Sequence, residues 1–439
     1  MSPSAHPAAQ RALDVRSPAV TTAASAPETV SLVVRTAAVP DPGPLLALLP
    51  EDSSLAWVRR GEGLVGWGRA AATEVEGPDR FAQADRWWRD LLATAVVRDE
   101  VRLPGCGPVA FGSFTFDEHS GSSVMVMPQV VVGHRNGQWW VTTVGVQGAL
   151  PPAVEINRFQ AARRPAPLAF ADGTRSGAEW ELVVEEAVSR INSGDLEKVV
   201  LARDLVAESA APVDPRWPLA RLAETYPRCW TFCVDGLLGA TPELLVRLER
   251  GLVTSRVLAG TIRRTGDDAH DLALAASLAR SSKDLEEHEY AVRSVASALR
   301  GFCSSMNVPE TPFVLHLANV MHLATDVTGV AAEPPSSLAL AAALHPTAAV
   351  CGTPTEAAAA LIAEIEGMNR GRYAGPVGWM DAAGDGEWGI ALRCARIDPD
   401  DPARLRLFAG CGIVAGSDPE AELGESAAKL IPMRDALSG

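Results

Sequence analysis

Two acidic stretches of this 439-residue chain carry carboxylates at helical spacing. Asp284 and Glu287 lie three positions apart in SSKDLEEHEYAV, and Glu422, Glu425 and Lys429 are spaced three and four apart in EAELGESAAK. Such spacings place side chains on one face of a helix. Two helices that each present a pair of carboxylates can hold a hard divalent cation such as Mg²⁺, which prefers oxygen ligands. The alternative is a solvated charged face stabilised by intrahelical ion pairs.

A single lysine interrupts an apolar strand pattern in the segment GDLEKVVLAR. Alternate side chains of an extended strand share a face, and this groups Lys198 with Leu196, Val200 and Ala202. Burial on an apolar face disfavours the charged form of a lysine, and an uncharged amine is a general base. The pattern therefore indicates that this lysine has a role that an exposed, charged lysine would not have.

Four other polar residues stand next to strand-like or apolar segments. His322 in VMHLAT and His345 in LHPT have apolar neighbours, which is typical of a core histidine but also suits a functional one. Arg393 in IALRCA is predicted to lie in mid-strand, where burial demands a partner, either an anionic ligand or a buried carboxylate. Glu243 in GATPELLVR follows a proline at a strand start, and by itself this pattern favours an exposed glutamate.

Small residues accompany three of the predicted strands, in LAGT, YAGPVGW and LFAGCGIV. Glycine lets a backbone approach a ligand closely, and the N–H groups around Gly410 and Gly412 are candidates for binding carboxylate oxygens. The alternative is ordinary turn or packing glycine. No GxxxxGK[ST] phosphate loop occurs in the chain.

The composition is that of an ordinary globular protein, with 47% hydrophobic and 21% charged residues. A formal net charge of −15 argues against a nucleic-acid or anionic-membrane surface, so an anionic ligand would need a locally positive site. The chain has no uninterrupted apolar run of membrane-spanning length. Seven scattered cysteines without a CxxC pair predict buried free thiols in a reducing, cytoplasmic setting.

The order of predicted elements favours an α+β fold, because the strands occur mostly in hairpins rather than alternating with helices. Residues 1–28, rich in Ala, Ser and Pro, are predicted to form a disordered tail, and residues 151–177 a linker. Asn136-Gly137 marks a hairpin turn. Helical spacing is present in five segments: RFAQADRWWRDLLATAV, SGAEWELVVEEAVSRINSGD, one long run over 271–302, TPTEAAAALIAEIEG, and EAELGESAAKLIPMRDAL at the end of the chain.

Taken together, the motifs resemble the chorismate-utilising enzyme family over about residues 178–434. This family includes isochorismate synthases, salicylate synthases, and the large subunits of anthranilate and aminodeoxychorismate synthases. The strings that carry the resemblance, in chain order, are LEKVVLAR, LGATPELLVR, LAGTIRR, KDLEEHEYAV, VMHLAT, LHPTAAVCGTP, YAGPVGW, GEWGIALRCA, LFAGCGIVAGS and the final ExxExxxK.

Within this family the resemblance favours isochorismate synthases, which carry a lysine where Lys198 stands and lack the DLxRND segment of the aminating enzymes. Salicylate synthases often have a threonine where this chain has Ala349, so the alanine favours release of isochorismate. Salicylate synthase remains the main alternative. Anthranilate or aminodeoxychorismate synthase is a weaker one, and a non-catalytic chorismate-binding protein ranks last. The pathway that would use the product, menaquinone, siderophore or other, stays open.

The resemblance also implies roles for single residues. Lys198 would activate water as the general base and Glu243, kept protonated by burial, would be the general acid. Mg²⁺ would bind Glu287 and Glu425 directly, while Asp284 and Glu422 hold its waters. The residues that would contact chorismate are Thr261, His322, Ala349, Arg393, Gly410, Gly412 and Lys429. His345 would only shape its loop.

The fold that this resemblance implies is a single α+β domain over residues 29–439. Two stacked, largely antiparallel β-sheets flanked by helices would enclose the site between them. The less characteristic half, 29–165, would belong to the same body as the signature region, 175–435. We expect a monomer that needs no glutaminase subunit.

Overall fold

Two β-sheets form the centre of the computed structural model, which describes residues 32–145, 156, 161–317, 320–333 and 335–438. The first twelve strands are β1 Val33–Ala38, β2 Leu55–Arg59, β3 Glu62–Trp67, β4 Ala71–Val75, β5 Val96–Asp99, β6 Val109–Ser113, β7 Ser123–Met127, β8 Val130–Arg135, β9 Gln138–Gly145, β10 Leu168–Asp172, β11 Lys198–Ser209 and β12 Trp230–Val234. The others are β13 Leu237–Thr241, β14 Leu244–Glu249, β15 Leu252–Arg263, β16 Cys303–Asn307, β17 Phe313–His316, β18 Val320–Ala331, β19 Gly352–Thr353, β20 Pro376–Asp381, β21 Gly386–Ile390, β22 Cys394–Ile397 and β23 Arg404–Ile413.

Helices cover the outside of these sheets. They are α1 Arg80–Ala93, α2 Gly177–Ser193, α3 Arg216–Thr225, α4 Asp268–Leu278, α5 Ser282–Leu299, α6 Ser337–Leu344, α7 Thr355–Ile365 and α8 Pro419–Ser438, with one 3-10 turn at Leu45–Leu48. Helix α5 packs against β15 and β18, and α8 packs against β23. These two helices carry the two predicted carboxylate pairs.

The larger sheet has the strand order β10-β11-β23-β22-β13-β12-β2-β3-β8-β9-β1-β5, with β19 paired to β11. The smaller sheet has the order β16-β18-β15-β14-β21-β20-β6-β7-β4, with β17 paired to β18. Neighbouring strands run antiparallel in the described pairings, except β1 and β5, which are parallel. The predicted α+β class with two largely antiparallel sheets is therefore confirmed.

A shared apolar core joins the two sheets. Trp57 and Trp140 of the larger sheet and Phe111 and Trp388 of the smaller one belong to one buried cluster. Polar contacts also cross this core, because the Trp57 Nε1 donates a hydrogen bond of 2.9 Å to Glu387 on β21. Strands from the first third of the chain thus pack directly on strands of the signature region.

Local signals in the sequence predict the start of α2 correctly. The Ser176 hydroxyl accepts from the N–H of Glu179, and the Glu179 carboxylate accepts from the N–H of Ser176, which forms a capping box. The helix ends at Gly194, whose φ of 91° is the left-handed conformation that glycine adopts without strain.

The predictions for two longer segments are wrong. The long helix expected over 271–302 is two helices, because the Ser281 side chain caps α5 by accepting from the N–H of Asp284 and so starts a new helix. The expected linker, 151–177, contains β10, which pairs with β11 and so becomes an edge strand of the larger sheet. Much of the rest of that segment, and the expected tail at 1–28, lies outside the described residues.

The seven cysteines are free thiols, as predicted, and all except the half-buried Cys303 are buried. None of the helices in the described ranges combines the length and apolar character needed to cross a membrane.

Candidate active site

A cavity of about 120 Å³ lies where the two sheets meet, and strands of both sheets contribute to its wall. Its lining includes Glu243 together with every residue that was predicted to contact substrate, namely Thr261, His322, Ala349, Arg393, Gly410, Gly412 and Lys429. Since these residues are distributed over nearly 190 positions of the chain, the fold itself assembles the site.

Lys198 is the first residue of β11, a strand that is buried on both faces over residues 199–205. Its side chain is 17% exposed, and its Nζ donates a hydrogen bond to the carboxylate of Glu287 on α5. Gly412 faces this side chain from β23, and a Cβ at that position would lie 2.8 Å from the lysine Cε. A larger residue at this position would therefore displace the flexible end of the lysine from its present place.

Glu243 lies between β13 and β14, where it is only 7% exposed. Burial raises the pKa of its carboxyl group to about 8, although the positive charges of Lys198 and Arg393 oppose that shift. No described residue forms a hydrogen bond or ion pair with this carboxyl group. The backbone N–H of Glu243 donates to the Thr241 hydroxyl. A carboxyl group with this pKa is largely protonated at neutral pH.

Thr261 and His322 form a hydrogen-bonded pair in register on β15 and β18. The Thr261 Oγ1 and the His322 Nδ1 are 2.9 Å apart. Burial, together with the nearby positive charges of Arg393 and Lys429, lowers the pKa of His322 to about 3, so the ring is neutral. Its Nε2 is buried and has no hydrogen-bond partner within the described ranges, which leaves it able to contact a ligand.

Arg393 does not lie in mid-strand as predicted. It has a φ of 49° and stands between β21, in the smaller sheet, and β22, in the larger one. The chain crosses from one sheet to the other at this point, and an extended backbone cannot make that turn. The guanidinium faces the cavity, and no carboxylate of the described residues forms a salt bridge with it. Of the two partners considered above, the structure therefore favours an anionic ligand.

Lys429 extends from α8 toward β23. Its Nζ lies 2.7 Å from a carboxylate oxygen of Glu425, one helical turn earlier, and donates to the backbone carbonyl of Gly410 at 2.8 Å. This bond shows that the polar backbone groups of Gly410 point away from β11. Val200, which faces Gly412, likewise donates its N–H to Cys351 rather than to β23. The N–H groups of both glycines are therefore directed away from the ladder with β11 and can serve a ligand.

The two carboxylate pairs lie on the helices that flank this cavity. Glu422 and Glu425 stand in the first two turns of α8, and one oxygen of each lies within 4.8 Å of the other and of the Cys411 Sγ. Asp284 and Glu287 stand in the first two turns of α5, and the Asp284 side chain lies beside the glycine that precedes Thr261. None of these four residues lines the cavity itself, and neither does Lys198.

These carboxylates fit a hard divalent cation. The Glu422 and Glu425 carboxylates form a cluster with Cys411, whereas Asp284 and Glu287 are not part of that cluster. Glu287 and Glu425 each form a salt bridge with a lysine, and a divalent cation can replace that lysine. Burial raises the pKa of Cys411 to about 12, so its sulfur is a neutral thiol and a poor ligand for Mg²⁺. The donor set is therefore suited to Mg²⁺ rather than to a thiophilic metal.

Ten residues of the cavity wall were not singled out as site residues from the sequence, and three of them have aromatic or charged side chains. Tyr373 and Phe408 stack with ring centroids 5.0 Å apart. Arg370 is almost fully buried, pairs with Glu366 and donates to the carbonyl of Val200. Aromatic and paired residues of this kind look like core residues in a sequence, and no local signal distinguishes them.

His345 takes the structural part expected of it. Its Nε2 lies 2.8 Å from the carbonyl oxygen of Phe116, and burial lowers the pKa of the ring to about 4. It is absent from the lining of the cavity described above.

Comparison with known proteins identifies relatives of this chain. Residues 20–438 match the family model described as chorismate binding enzyme. The isochorismate synthase DhbC of Bacillus subtilis is 43% identical over 266 residues, which cover 58% of this chain and 66% of that enzyme. The salicylate biosynthesis isochorismate synthase of Pseudomonas aeruginosa is 35% identical over 413 residues, covering 88% of this chain and 84% of the relative.

A solved structure has the same architecture. MenF, the menaquinone-specific isochorismate synthase from Escherichia coli, superposes with a TM-score of 0.76 at 25% sequence identity. The match covers 92% of this chain and 94% of MenF. It therefore includes the N-terminal strands as well as the signature region.

Proposed function

The chain belongs to the chorismate-binding enzyme family, and from this premise we propose that it is an isochorismate synthase whose active site is the cavity between the sheets. Relatives named isochorismate synthase align with the chain at 30–43% identity. The reaction interconverts chorismate and isochorismate: water adds at C2 of the ring, the C4 hydroxyl leaves, and the double bonds shift.

The neutral, unpartnered carboxyl group of Glu243 is the observation that carries this proposal. Hydroxide is a poor leaving group, so departure of the C4 hydroxyl needs a proton from a general acid. A glutamate with an ordinary pKa would be ionised at neutral pH and could not supply it. Burial keeps Glu243 protonated up to about pH 8, which gives it the capacity to protonate the leaving oxygen.

Lys198 is the residue that we propose as the general base. Water is a weak nucleophile, and removal of a proton as it adds to C2 requires a base on the other side of the ring from the acid. The lysine side chain lies against Gly412, a residue of the cavity lining, whereas Glu243 belongs to the lining and stands on the β13–β14 connection. The two groups would therefore flank the substrate.

Cationic and N–H groups in the wall suit the two carboxylates of chorismate. Arg393 faces the cavity without a carboxylate partner among the described residues, and its planar guanidinium suits bidentate binding. Lys429 and the N–H groups of Gly410 and Gly412 offer further donors. The neutral His322 would bind a substrate oxygen through its free Nε2, while Thr261 holds the ring of the histidine.

Mg²⁺ is the cofactor we propose, with Glu287 and Glu425 as direct ligands and Asp284 and Glu422 as partners of its waters. When bound, the ion would offset the negative charge of the ring carboxylate. The acidic side chains that α5 and α8 carry would otherwise repel a dianionic substrate.

Incubation with chorismate, with and without Mg²⁺, followed by chromatographic separation of the products tests the proposal. We expect isochorismate to form only with the metal, and to form without ammonia or a glutaminase subunit. Salicylate together with pyruvate would instead identify a salicylate synthase. Binding of chorismate without turnover would leave only a binding protein, and either result would refute an isochorismate synthase.

Glu364→Gln is a suitable control for variants of the acid, because Glu364 is an exposed glutamate of α7 that pairs with Arg190 far from the cavity lining. We expect this variant to form isochorismate at the wild-type rate. Light scattering on the same preparations tests the expected monomer.

A further inference from the structure

A second, smaller cavity lies directly behind Glu243. Its volume is about 20 Å³, and Glu243 and Ala349 line both this cavity and the active-site cavity. The other polar residues of its wall are Ser255, Ser294, Thr347 and Arg256, which binds Asp326, and Val295 provides an apolar part of the wall. A space of this size accommodates one water molecule, provided that two to four polar groups surround it.

The polar groups around this small cavity meet that condition. The Thr347 Oγ1 is buried, and no hydrogen-bond partner for it exists among the described residues. The Ser255 hydroxyl donates to the carbonyl of Leu245 at 2.7 Å, so its oxygen lone pairs are still able to accept. The carboxyl group of Glu243 provides a third polar partner.

Thr347 is held firmly by its backbone. Its carbonyl oxygen accepts from the N–H groups of Val350 at 3.1 Å and Cys351 at 3.0 Å, which closes a tight turn. The hydroxyl is therefore presented to the small cavity by a rigid loop. A buried hydroxyl with no partner is unfavourable, whereas one that bonds a buried water is not.

We infer that this cavity binds one water molecule, which links Thr347 to Glu243 and directs the acid proton of Glu243 toward the substrate. The inference rests on the proposed function, in which Glu243 is the acid. The water would accept from the Thr347 hydroxyl and donate to one carboxyl oxygen of Glu243 and to Ser255. Thr347 is then a positioning residue.

The physical reason is that a carboxylic acid can carry its proton on either oxygen. A hydrogen bond donated to the oxygen on the far side makes that oxygen an acceptor, and so places the O–H on the side of the active-site cavity. Without the water, the acid would spend part of its time with the proton directed away from the leaving hydroxyl. This changes the rate of the chemical step but not the binding of substrate.

Three variants, assayed with chorismate and Mg²⁺, test the inference. Thr347→Val keeps the shape of the side chain but removes its hydroxyl. We expect kcat to fall about tenfold with an unchanged KM, because a misdirected proton removes only part of the rate gain that a general acid provides. Thr347→Ser should restore at least half of the wild-type kcat. Val295→Ile adds a methyl group to the cavity wall and should lower kcat as Thr347→Val does, because it excludes the water while leaving the threonine in place.

Two outcomes would overturn the inference: a kcat of Thr347→Val within twofold of wild type, or a Thr347→Ser variant as slow as Thr347→Val. If Thr347→Val does not fold, Val295→Ile provides the test instead. A kcat of Val295→Ile equal to that of the wild type would then overturn the inference. The wild-type enzyme, assayed in the same series, distinguishes a failure of the proposed function from a failure of the bound-water proposal. No turnover by the wild type would refute the proposed function, whereas equal turnover by wild type and variants would refute the bound water alone.

Discussion

Lys198 and Glu287 form an ion pair although 89 positions separate them in the chain. This contact joins the start of β11 in the larger sheet to the second turn of α5, which packs on the smaller sheet. It brings the proposed base into contact with a proposed metal ligand.

Substitution of the acid should remove turnover while leaving binding intact. We expect Glu243→Gln to lower kcat by about 10²- to 10⁴-fold, because glutamine has no proton to give to the leaving hydroxyl. In the wild type, kcat should decline as the pH rises through about 8, where Glu243 loses its proton. Steady-state rates from pH 6 to 9.5 and chorismate binding by fluorescence provide the check. A Glu243→Gln enzyme with wild-type kcat would exclude this residue as the acid.

The same substitution should stabilise the protein at alkaline pH. The raised pKa of Glu243 means that the folded state keeps a proton which the unfolded chain, with an ordinary pKa of 4.5, releases. The free energy of unfolding should therefore fall as the pH rises from 4.5 to about 8. Glu243→Gln avoids that loss, and we expect it to exceed wild type by at least about 1 kcal/mol at pH 8. Urea unfolding at pH 4.5 and pH 8 measures this, and an equal difference at both values would contradict it.

The two lysines of the site should differ in their kinetic effects. Lys198→Met should lower kcat with little change in KM, because it removes a proposed base but no proposed substrate contact. Lys429→Met should mainly raise KM, since this lysine is proposed to bind a substrate carboxylate. Initial rates over a range of chorismate concentrations distinguish the two. The assignment would be reversed if Lys429→Met lost kcat and Lys198→Met lost only affinity.

Metal binding should depend on Glu287 and not on its exposed neighbour. Glu287→Gln removes one charged ligand, and we expect a ten- to hundredfold weaker binding of Mg²⁺ in calorimetry. Glu289→Gln is the matched control, since Glu289 lies on the same helix, is 65% exposed and pairs with Arg293. Equal affinities of the two variants would show that α5 does not supply the metal ligand.

The pair Glu366 and Arg370 supports the cavity wall. The Glu366 carboxylate accepts from Arg370 at 2.6 and 2.7 Å and from the N–H of Ala202 at 2.8 Å, and both side chains are almost fully buried. Glu366→Ala leaves a buried guanidinium without its counter-charge, so we expect a loss of about 3–5 kcal/mol in unfolding free energy. Glu364→Ala, at a 58% exposed position of α7, should cost less than about 1 kcal/mol. Urea unfolding of both variants checks this, and similar losses would show that burial of the pair is unimportant.

The sequence by itself determined what depends on near neighbours in the chain. Capping signals at Ser176, the turn at Asn136-Gly137 and the alternation around Lys198 are local patterns, and the structure has the elements they predict. The motif strings pointed to the α+β class and to the residues of the cavity. Local patterns also misled where tertiary contacts decide, since the helical spacing over 271–302 continues through the cap at Ser281 that divides the segment into two helices.

Only the tertiary structure decided which of these residues meet and what surrounds them. Glu243 has the pattern of an exposed strand end, yet packing between the sheets buries it and raises its pKa. Arg393 looks like part of a strand, but the chain crosses from one sheet to the other at this residue. Thr347 shares a small cavity with Glu243 across about 100 positions. Burial, charge pairing and cavity shape arise from contacts between distant segments, and the periodicity of a single segment carries no information about them.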